Sequence, residues 1–535
     1  MKKIILILFL ITIPSLLPYF NSRFFYTQDY IFIARLHQIT TALSDGQFPV
    51  RWATDLRFGE PIFNFYASLP FYIGFVIKSL GFSYIWTAKI LFMLSSLLSA
   101  FTMFVFVRKL FSEKAAYFSA AIYIWAPYRA VDMYVRGAIA EAWAFVFFPV
   151  IFYTSLLVAE KRSHRNIALL GLSISGLFLT HNVTSLMFMP FVGLWWLYLS
   201  LQKRNWKLIL IFISSFILGV GIASFFLLPA LVERQFIQTK YLIVGYFDFR
   251  AHFVALKQLF STFWGYGSSL WGLDDGLSFQ IGLVNWIILS FAVILGFVNR
   301  NNKKLLGLTA FLGFSFLLSL FFQHNKSAFI WEAFPSMAFI QFPWRFLSIS
   351  VFIVAIVGGF VIKNIKYKSR ILYFVLLFSV ITFSFSYFKP KEYVDDSFFD
   401  KFINIETMRE GVDLTKDYLP VWVATIDGEV FNDFKTETGE ITTNDFKRTS
   451  DKFSGNIVVK SKASILAPIT YFPGWQVWAN ERIVSQDSPS NMGLIKFELP
   501  PGSYKIDVKL MNTPVRDLGN ILSLISISLV GILLL

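Results

Sequence analysis

The pattern that decides the fold is clearest in residues 203–231, KRNWKLILIFISSFILGVGIASFFLLPAL. A short basic stretch is followed by a run of 25 residues, 208–232, without Asp, Glu, Lys or Arg, and about 20 apolar residues are enough to cross a bilayer. Other short basic loops also lie between apolar runs: Arg108-Lys109 with Lys114, Lys161-Arg162 with Arg165, Arg300 with Lys303-Lys304, and Lys363 through Arg370. Lys and Arg accumulate on the cytoplasmic side of membrane proteins, so we expect all five loops there.

The composition agrees with a polytopic membrane protein. Of the 535 residues 56% are hydrophobic and only 15% are charged. Much of the net charge of +15 lies in the short loops, which indicates a topology signal rather than a nucleic-acid partner. The chain has no cysteine, and this excludes disulfides, thiol chemistry and cysteine-ligated metals.

Twelve spans are predicted from the apolar runs. They lie near 4–20, 84–107, 115–131, 142–159, 168–180, 183–201, 208–231, 279–298, 304–322, 344–363, 371–388 and 519–535. The first is read as an uncleaved span, since no small-residue cleavage site follows it. With a cytoplasmic amino terminus, every basic loop falls inside. The apolar stretch 61–80 is interpreted as interfacial or re-entrant, because a full span there would reverse all later loops.

The longer polar segments then lie outside the cytoplasm. They are residues 21–83, 132–141, 181–182, 232–278 and 323–343, followed by the polar stretch 389–518. That stretch alternates apolar and polar residues in 456–460, 475–478, 494–499 and 503–510, with turns at Pro473-Gly474 and 500–502. We therefore predict a transmembrane domain at 1–388, an autonomous extracytoplasmic β-sandwich-like domain at 389–518 and a last span at 519–535.

The first external loop, 21–83, is the strongest chemical candidate. Asp29 follows the first span and precedes a helix-like stretch with Arg35 and His37. An outward-facing carboxylate at this depth suits a general base, although Asp29 also fits a helix cap. At 100° per residue, Asp29 and His37 fall about 80° apart and Arg35 lies on the far side, so Arg35 is expected to pair elsewhere.

Several motifs together resemble a bacterial group within the GT-C superfamily of membrane glycosyltransferases. They are Asp29…Arg35…His37…Gly46…Pro49…Arg51-Trp52…Gly59…Pro61…Phe65-Tyr66, Tyr134-Val135-Arg136-Gly137-Ala138…Glu141, Thr180-His181-Asn182 and Phe342-Pro343-Trp344-Arg345-Phe346. The tail motifs Phe472-Pro473-Gly474-Trp475 and Asn512-Thr513-Pro514…Arg516 are similar to YfhO-like membrane proteins. Some members are labelled 6-pyruvoyl-tetrahydropterin synthase-related. That activity needs a His-rich zinc site, whereas the five histidines here are scattered.

The resemblance implies transfer of a hexose or pentose, with inversion, from a polyprenyl-phosphate-linked donor to a glycan, lipid or protein acceptor outside the plasma membrane. Asp29 matches the catalytic carboxylate of such enzymes. The leaving group is a lipid phosphate, so the site also needs fixed positive charge.

Candidates for that charge are Arg345, Arg136 and His181. Arg345 follows Pro343 at the start of an outward-beginning helix, where an anion at the helix N-terminus would offset an unfavourable position; a snorkelling arginine is the alternative. Arg136 faces outward too, but Asp132 lies four residues earlier and an ordinary ion pair is equally expected. His181 lies where two spans meet, a position typical of a hydrogen-bond partner or cap.

Supporting roles near the acceptor are assigned to His37, Glu141 and Arg51. Glu141 opens a span, so it is expected first to pair with Arg136, with acceptor activation or metal ligation as alternatives. Asp274-Asp275-Gly276 is typical of a turn, and metal dependence stays open. Trp264, Tyr266 and Trp271 fit sugar stacking or interfacial anchoring. Two rivals remain: a transporter or flippase for a lipid-linked substrate, and a non-catalytic envelope assembly protein.

Overall fold

The computed structural model describes residues 2–365, 370–411 and 416–535. Met1 and residues 366–369 of the predicted basic loop 363–370 lie outside the described residues.

A helix occupies each predicted span. The helices are Lys2–Thr12 continuing as Ile13–Phe20, Tyr84–Leu110, Glu113–Trp125, Ile139–Glu160, His164–Thr180, Asn182–Gln202, Lys207–Ile222 followed by Ser224–Val232, Leu283–Val298, Lys303–Gln323, Pro343–Phe346 continuing as Leu347–Asn364, Arg370–Phe385, and Pro514–Leu534. In the described part of the chain, seven helices are long and apolar enough to cross a membrane, or up to eight with the pair 207–222 and 224–236, which is bent by 77°. The chain is a polytopic helical membrane protein.

The other predicted spans are shorter helices. Leu283–Val298 and 371–385 are apolar but have fewer than 18 residues. Glu113–Trp125 is also short, and every residue from Ala115 to Trp125 is buried against neighbouring helices. A helix that is apolar on all sides belongs in a protein interior.

The last helix begins at Pro514, five residues before the predicted boundary of 519. The Thr513 hydroxyl accepts from the Arg516 backbone N–H, and Pro514 occupies the first helical turn. Proline is favoured there because its missing N–H would have no partner in any case. A Thr-Pro pair therefore starts this helix while the sequence is still polar.

Short helices lie in the predicted external segments, in the tail, and at the end of the predicted span 115–131. They are Phe32–Ser44, Ile62–Phe65, Leu69–Ser79, Pro127–Ala130, Val131–Arg136, Glu233–Phe236, Thr239–Leu242, Gly245–Phe247, Phe249–His252, Leu256–Phe260, Asn325–Ser327, Ala328–Ala333, Pro335–Ile340, Ser397–Asp400, Ile405–Arg409 and Lys416–Tyr418. The predicted interfacial stretch 61–80 thus contains two short helices instead of one long one.

The tail segment forms an antiparallel β sandwich. A small pair, β1 (Phe24–Phe25) with β2 (Tyr393–Val394), ties it to the first loop. The sandwich strands are β3 (Lys435–Thr438), β4 (Ile441–Arg448), β5 (Lys452–Val459), β6 (Ala463–Thr470), β7 (Trp475–Ala479), β8 (Arg482–Val484), β9 (Leu494–Leu499) and β10 (Gly502–Leu510). One sheet has the order β4-β5-β10-β7-β8 and the other β3-β6-β9. The four predicted strands correspond to β5, β7, β9 and β10.

The β sandwich shares its core with the predicted first external loop, residues 21–83. Trp52 and Phe65 belong to the same buried cluster as Phe472 and Trp475, and the Trp52 and Trp475 rings lie 5.4 Å apart. The Thr470 N–H donates to the Phe58 carbonyl at 3.0 Å. The first loop and the tail domain therefore form one folded unit, which the prediction of an autonomous tail domain did not include.

Candidate functional site

The site is built on the segment between helices Glu113–Trp125 and Ile139–Glu160. Pro127 begins a short helix, and Gly137 ends the next turn with a left-handed φ of 70°. A Cβ on Gly137 would lie 2.4 Å from the Thr27 hydroxyl oxygen, so glycine permits the first loop to approach closely. The N–H groups of Gln28 and Asp29 donate to the carbonyls of Val135 and Arg136, at 2.9 Å and 2.7 Å. These bonds place Asp29 beside the 131–136 turn.

Glu141 is the centre of a buried polar cluster. Its Oε1 accepts from the Tyr128 hydroxyl at 2.6 Å, and its Oε2 accepts from Arg136 Nη1 at 2.7 Å. The same Arg136 nitrogen donates to Asp132 Oδ1 at 2.8 Å, and the guanidinium lies 4.7 Å from the Trp344 ring centroid. Both pairings expected for Arg136 are therefore present together.

Arg345 extends this cluster from a distant part of the chain. Its Nε lies 4.0 Å from Glu141 Oε2, and its Nη1 donates to the Ile340 carbonyl at 2.7 Å and to Gln341 Oε1 at 3.2 Å. Its Nε is buried without a hydrogen-bond partner. Gln341 has a φ of 65°, a region disfavoured for residues other than glycine, and such strain concentrates at functional sites.

A third arginine, Arg129, belongs to the same cluster. Arg129 is fully buried and donates to the Ala142 carbonyl at 3.3 Å and to the Ser96 hydroxyl at 3.1 Å. Asp132 is within electrostatic range of Arg129, Arg136 and Arg345. Two carboxylates thus face three guanidinium groups, and the cluster has an excess of positive charge.

Asp29 lies next to this cluster and pairs with Arg35. Asp29 Oδ2 is 3.5 Å from Arg35 Nη1, and the aspartate side chain is 37% exposed. The Arg35 guanidinium lies 4.5 Å from the Tyr66 ring centroid. Burial raises the pKa of the Tyr66 phenol, and the charges of Arg35, Asp29 and Arg345 also act on it. Tyr66 therefore lies in one region with Asp29 and Arg345.

The expectation that Arg35 pairs elsewhere was wrong, as was the alternative that Asp29 caps the helix. The helix begins at Phe32 after Ile31, and no side chain caps it. Residues 28–31 form a turn, so helical steps of 100° cannot be counted from Asp29.

His181 joins the cluster from the junction of two helices. Its Nδ1 lies 2.6 Å from the Thr184 hydroxyl, and Glu141, Arg345 and Arg136 are within electrostatic range. The neighbouring Asn182 side chain donates to the Phe65 carbonyl at 2.8 Å. The hydrogen-bonding role expected for His181 is present, close to the arginines.

His37 is not brought to Asp29. Its ring contacts Tyr84, with centroids 5.2 Å apart, and burial lowers the pKa of its imidazole while Asp55 raises it. Asp55 forms a separate buried cluster with Arg409, at 2.9 Å, and with Arg448, at 3.9 Å. Burial lowers the pKa of Arg448 to about 9. This cluster joins the first loop to the tail domain.

Arg51 also lies in a structural network. It donates to Asn64 Oδ1 and to Asn520 Oδ1, both at 3.3 Å. Burial lowers the pKa of Arg51 to about 10. Its contacts connect the first loop with the last helix and not with Asp29.

The segment 245–279, which is predicted to lie outside the cytoplasm, packs against the site. The Gln28 side chain donates to the Gly267 carbonyl at 2.8 Å, and Phe279 stacks on Trp344 with centroids 5.9 Å apart. A cavity of about 640 Å³ lies within residues 257–279 of this segment. It is lined by apolar side chains, among them Phe260, Phe263 and Phe279, and by polar ones, among them Lys257, Asp274 and Asp275. Asp275 accepts from Leu270 N–H at 2.7 Å and from Gln258 at 2.7 Å, as expected for a turn. In the described ranges no group of three or more His, Asp or Glu side chains has the arrangement of a metal site.

Sequence reasoning missed two members of the cluster, Arg129 and Tyr128, and gave no role to Tyr66, which it included in the first-loop motif. Arg129 carried a usable signal because it interrupts the apolar run 115–131, where a charge is costly unless it is paired or functional. Tyr128 carried none, and the motif alone assigned no role to Tyr66, since tyrosine is also common at the membrane interface.

Comparison with known proteins places these observations in a family. Residues 63–389 match the family described as "6-pyruvoyl-tetrahydropterin synthase related domain; membrane protein". An uncharacterised protein of Lactococcus lactis subsp. cremoris (strain MG1363) is 28% identical over 239 residues, which are 42% of this chain and 39% of that protein. The match thus spans about two fifths of the relative's length.

Two solved structures also resemble the chain. The cryo-EM structure of arabinofuranosyltransferase AftD from Mycobacteria is 14% identical, with a TM-score of 0.46, over 72% of this chain and 27% of that chain. A structure of a mutant of the same protein is 15% identical, with a TM-score of 0.46, over 72% of this chain and 28% of that chain.

Proposed function

We propose, on the premise that this chain belongs to the family of membrane proteins described as 6-pyruvoyl-tetrahydropterin synthase related, that it is a GT-C-type membrane glycosyltransferase. It transfers a hexose or pentose from a polyprenyl-phosphate-linked donor to a glycan, lipid or protein acceptor. The reaction takes place on the outer face of the plasma membrane.

The observation that carries the proposal is the arginine cluster beside Asp29. Arg345 has a buried Nε without a hydrogen-bond partner, and Arg136 and Arg129 add two further positive charges against Asp132 and Glu141. A phosphate anion placed there gains charge-assisted hydrogen bonds in a site largely shielded from water. Asp132 and Glu141 hold Arg136 in place. They also reduce the net positive charge of the cluster to an excess that one phosphate group can neutralise.

Asp29 supplies the base. Its carboxylate is partly exposed and is oriented by Arg35, so an acceptor hydroxyl can reach it from the external side. The hydroxyl oxygen attacks the anomeric carbon, the bond from that carbon to the phosphate oxygen breaks, and the proton passes to Asp29. The polyprenyl phosphate leaves with its charge held by Arg345 and Arg136. A single displacement of this kind inverts the anomeric centre.

The test is sugar transfer by the purified full chain in lipid nanodiscs. Radiolabelled polyprenyl-phosphate pentose and hexose donors are supplied with membrane extract as the source of acceptor. We expect transfer by the wild type, loss of transfer in Asp29→Asn, and retained donor binding in that variant. Continued movement of a lipid-linked substrate across the membrane by Asp29→Asn, without any transfer by the wild type, would instead indicate a transporter.

A further inference from the structure

The external segment 256–273 has an unusual surface for a part of the chain outside the membrane. From Gln258 to Leu273 there is no Asp, Glu, Lys, Arg or His. Six large apolar side chains are strongly exposed: Leu256, Phe260, Phe263, Leu270, Trp271 and Leu273, with 71% exposure at Trp271. Exposed apolar side chains concentrated in one uncharged stretch are typical of a surface that contacts a partner or a membrane.

Contacts with two predicted spans fix the position of this segment relative to the membrane. Phe260 stacks on Trp286, with centroids 4.0 Å apart and an interplanar angle of 13°. The Trp286 indole also donates to the Leu259 carbonyl at 3.0 Å. Trp286 lies in the first turn of Leu283–Val298, a predicted span whose exposed side chains include Leu283, Ile287 and Phe291. The exposed surface of the segment is therefore continuous with the lipid-facing surface of that helix.

The other side of the segment contacts residues that directly follow the second of these spans, Arg370–Phe385. Trp264 stacks on Tyr387 with centroids 4.8 Å apart, and the Tyr266 hydroxyl donates to the Lys389 carbonyl at 3.0 Å. Both partners directly follow the helix that ends at Phe385. The segment is thus held at the outer ends of two predicted spans, the depth at which tryptophan and tyrosine concentrate.

We propose that residues 256–273 insert into the outer leaflet and are an interfacial membrane element. Beyond the short helix Leu256–Phe260 the segment has irregular backbone, which is not tolerated in the hydrocarbon core. The segment therefore lies at headgroup depth, with its six apolar side chains directed toward the acyl chains. This inference does not depend on the proposed enzymatic function.

Insertion of this segment would also place part of the cavity wall next to lipid. Phe260, Phe263 and Leu273 line the cavity of about 640 Å³ together with Phe279, and Phe279 stacks on Trp344. With the segment at the interface, this wall of the cavity lies at headgroup depth, and Phe279 connects the cavity to Trp344, the ring that contacts the Arg136 guanidinium.

Cysteine scanning tests the proposal, because the chain has no native cysteine. Phe260→Cys, Trp271→Cys and Leu273→Cys variants of the full chain are labelled with an environment-sensitive fluorophore and reconstituted in nanodiscs. Phe291→Cys, on the predicted span, is the lipid control. Val458→Cys is the water control, since Val458 is 43% exposed on β5 and pairs near the end of β10 farthest from the last helix.

We expect blue-shifted emission at 260, 271 and 273, quenching by a headgroup-depth nitroxide lipid, and loss of quenching by aqueous iodide relative to Val458→Cys. Iodide quenching equal to that of Val458→Cys would overturn the proposal. So would shielding from both quenchers, since that result would indicate a protein partner, such as a second copy, on this surface.

Discussion

Glu233 and Arg516, 283 residues apart, form a buried ion pair at 3.0 Å. The Glu233 carboxylate also accepts from Asn64 at 2.6 Å and from Thr513 at 2.5 Å, and Arg516 donates to the Pro473 carbonyl at 3.0 Å. One carboxylate thus joins the first loop, the last helix and the β sandwich. Asn64 is two residues before Tyr66, so this network also fixes the loop that carries the candidate site.

Removing one partner of this pair is expected to destabilise the protein. Glu233→Ala leaves Arg516 buried without its counter-charge, a change that typically costs about 3–5 kcal/mol. Thermal unfolding in detergent should show a clearly lowered melting temperature. The matched control is Glu440→Ala, which removes the exposed pair with Lys460 and should cost less than about 1 kcal/mol. Equal shifts in the two variants would contradict a stabilising role for the buried pair.

Arg345→Ala is expected to weaken donor binding and turnover together. Loss of a desolvated partner for the phosphate typically costs about 2–5 kcal/mol, and Arg345→Lys should recover only part of this because an ammonium lacks the planar fork of a guanidinium. Binding of a polyprenyl-phosphate sugar measures the effect. Arg250→Ala is the control, since Arg250 lies on the surface with Asp248 and Glu332. Unchanged donor affinity in Arg345→Ala would refute the phosphate site.

Asp29→Asn should act on turnover alone. The substitution removes the base but leaves the arginine cluster intact, so turnover is expected to fall by about 10²–10⁴ while donor affinity stays near the wild-type value. Asp395→Asn, which alters an exposed pair with Arg23, is the control. Equal losses of donor affinity and turnover in Asp29→Asn would assign Asp29 a binding role instead.

The fold was predictable where one local pattern determines one element. Strands β5, β7, β9 and β10 alternate apolar and polar residues, and the spans lie in long uncharged runs. The approach of Arg345 to Glu141, at 4.0 Å, was not predicted, because the sequence suggested Arg136 as the partner of Glu141 and only the resemblance placed Arg345 in the same site. Pairs such as Asp55 with Arg409, which are 354 residues apart, leave no local trace, because tertiary packing alone brings them together.

The error at Asp29 has a local cause. Residues 26–31 contain no proline or glycine, so the sequence is compatible with a helix that already includes Asp29. The backbone N–H groups of Gln28 and Asp29 are instead bonded to the 135–136 carbonyls. A tertiary contact thus holds these residues in a turn and reverses the expected partners of Arg35 and His37.

His37 is expected to make stability depend on pH. Burial lowers the pKa of the imidazole in the folded protein, while the unfolded chain takes up the proton below about pH 6.5. Between these two pKa values the unfolded state binds more protons than the folded state. The free energy of unfolding therefore decreases as pH falls from about 6.5 toward the folded pKa. Melting curves between pH 5 and 8 should show a smaller acid-side loss in His37→Gln than in the wild type. The exposed His164→Gln should match the wild type, and a matching His37→Gln curve would count against this role.

The predicted orientation places Ser163 inside the cell and Ser454 outside. Ser163 lies between Lys161-Arg162 and Arg165, and Ser454 lies on β5. Seven predicted spans separate them, an odd number, so the two positions must face opposite sides if every span crosses. Crossing is least certain from length alone for short helices such as Leu283–Val298. Its 16 residues extend about 24 Å, less than the roughly 30 Å of the hydrocarbon core. Membrane-impermeant thiol reagents applied to Ser163→Cys and Ser454→Cys variants should label position 163 only in inverted vesicles and position 454 only in intact cells. Labelling of both from one side would mean that an odd number of these helices do not cross, and reversed labelling would place the arginine cluster and Asp29 on the cytoplasmic face.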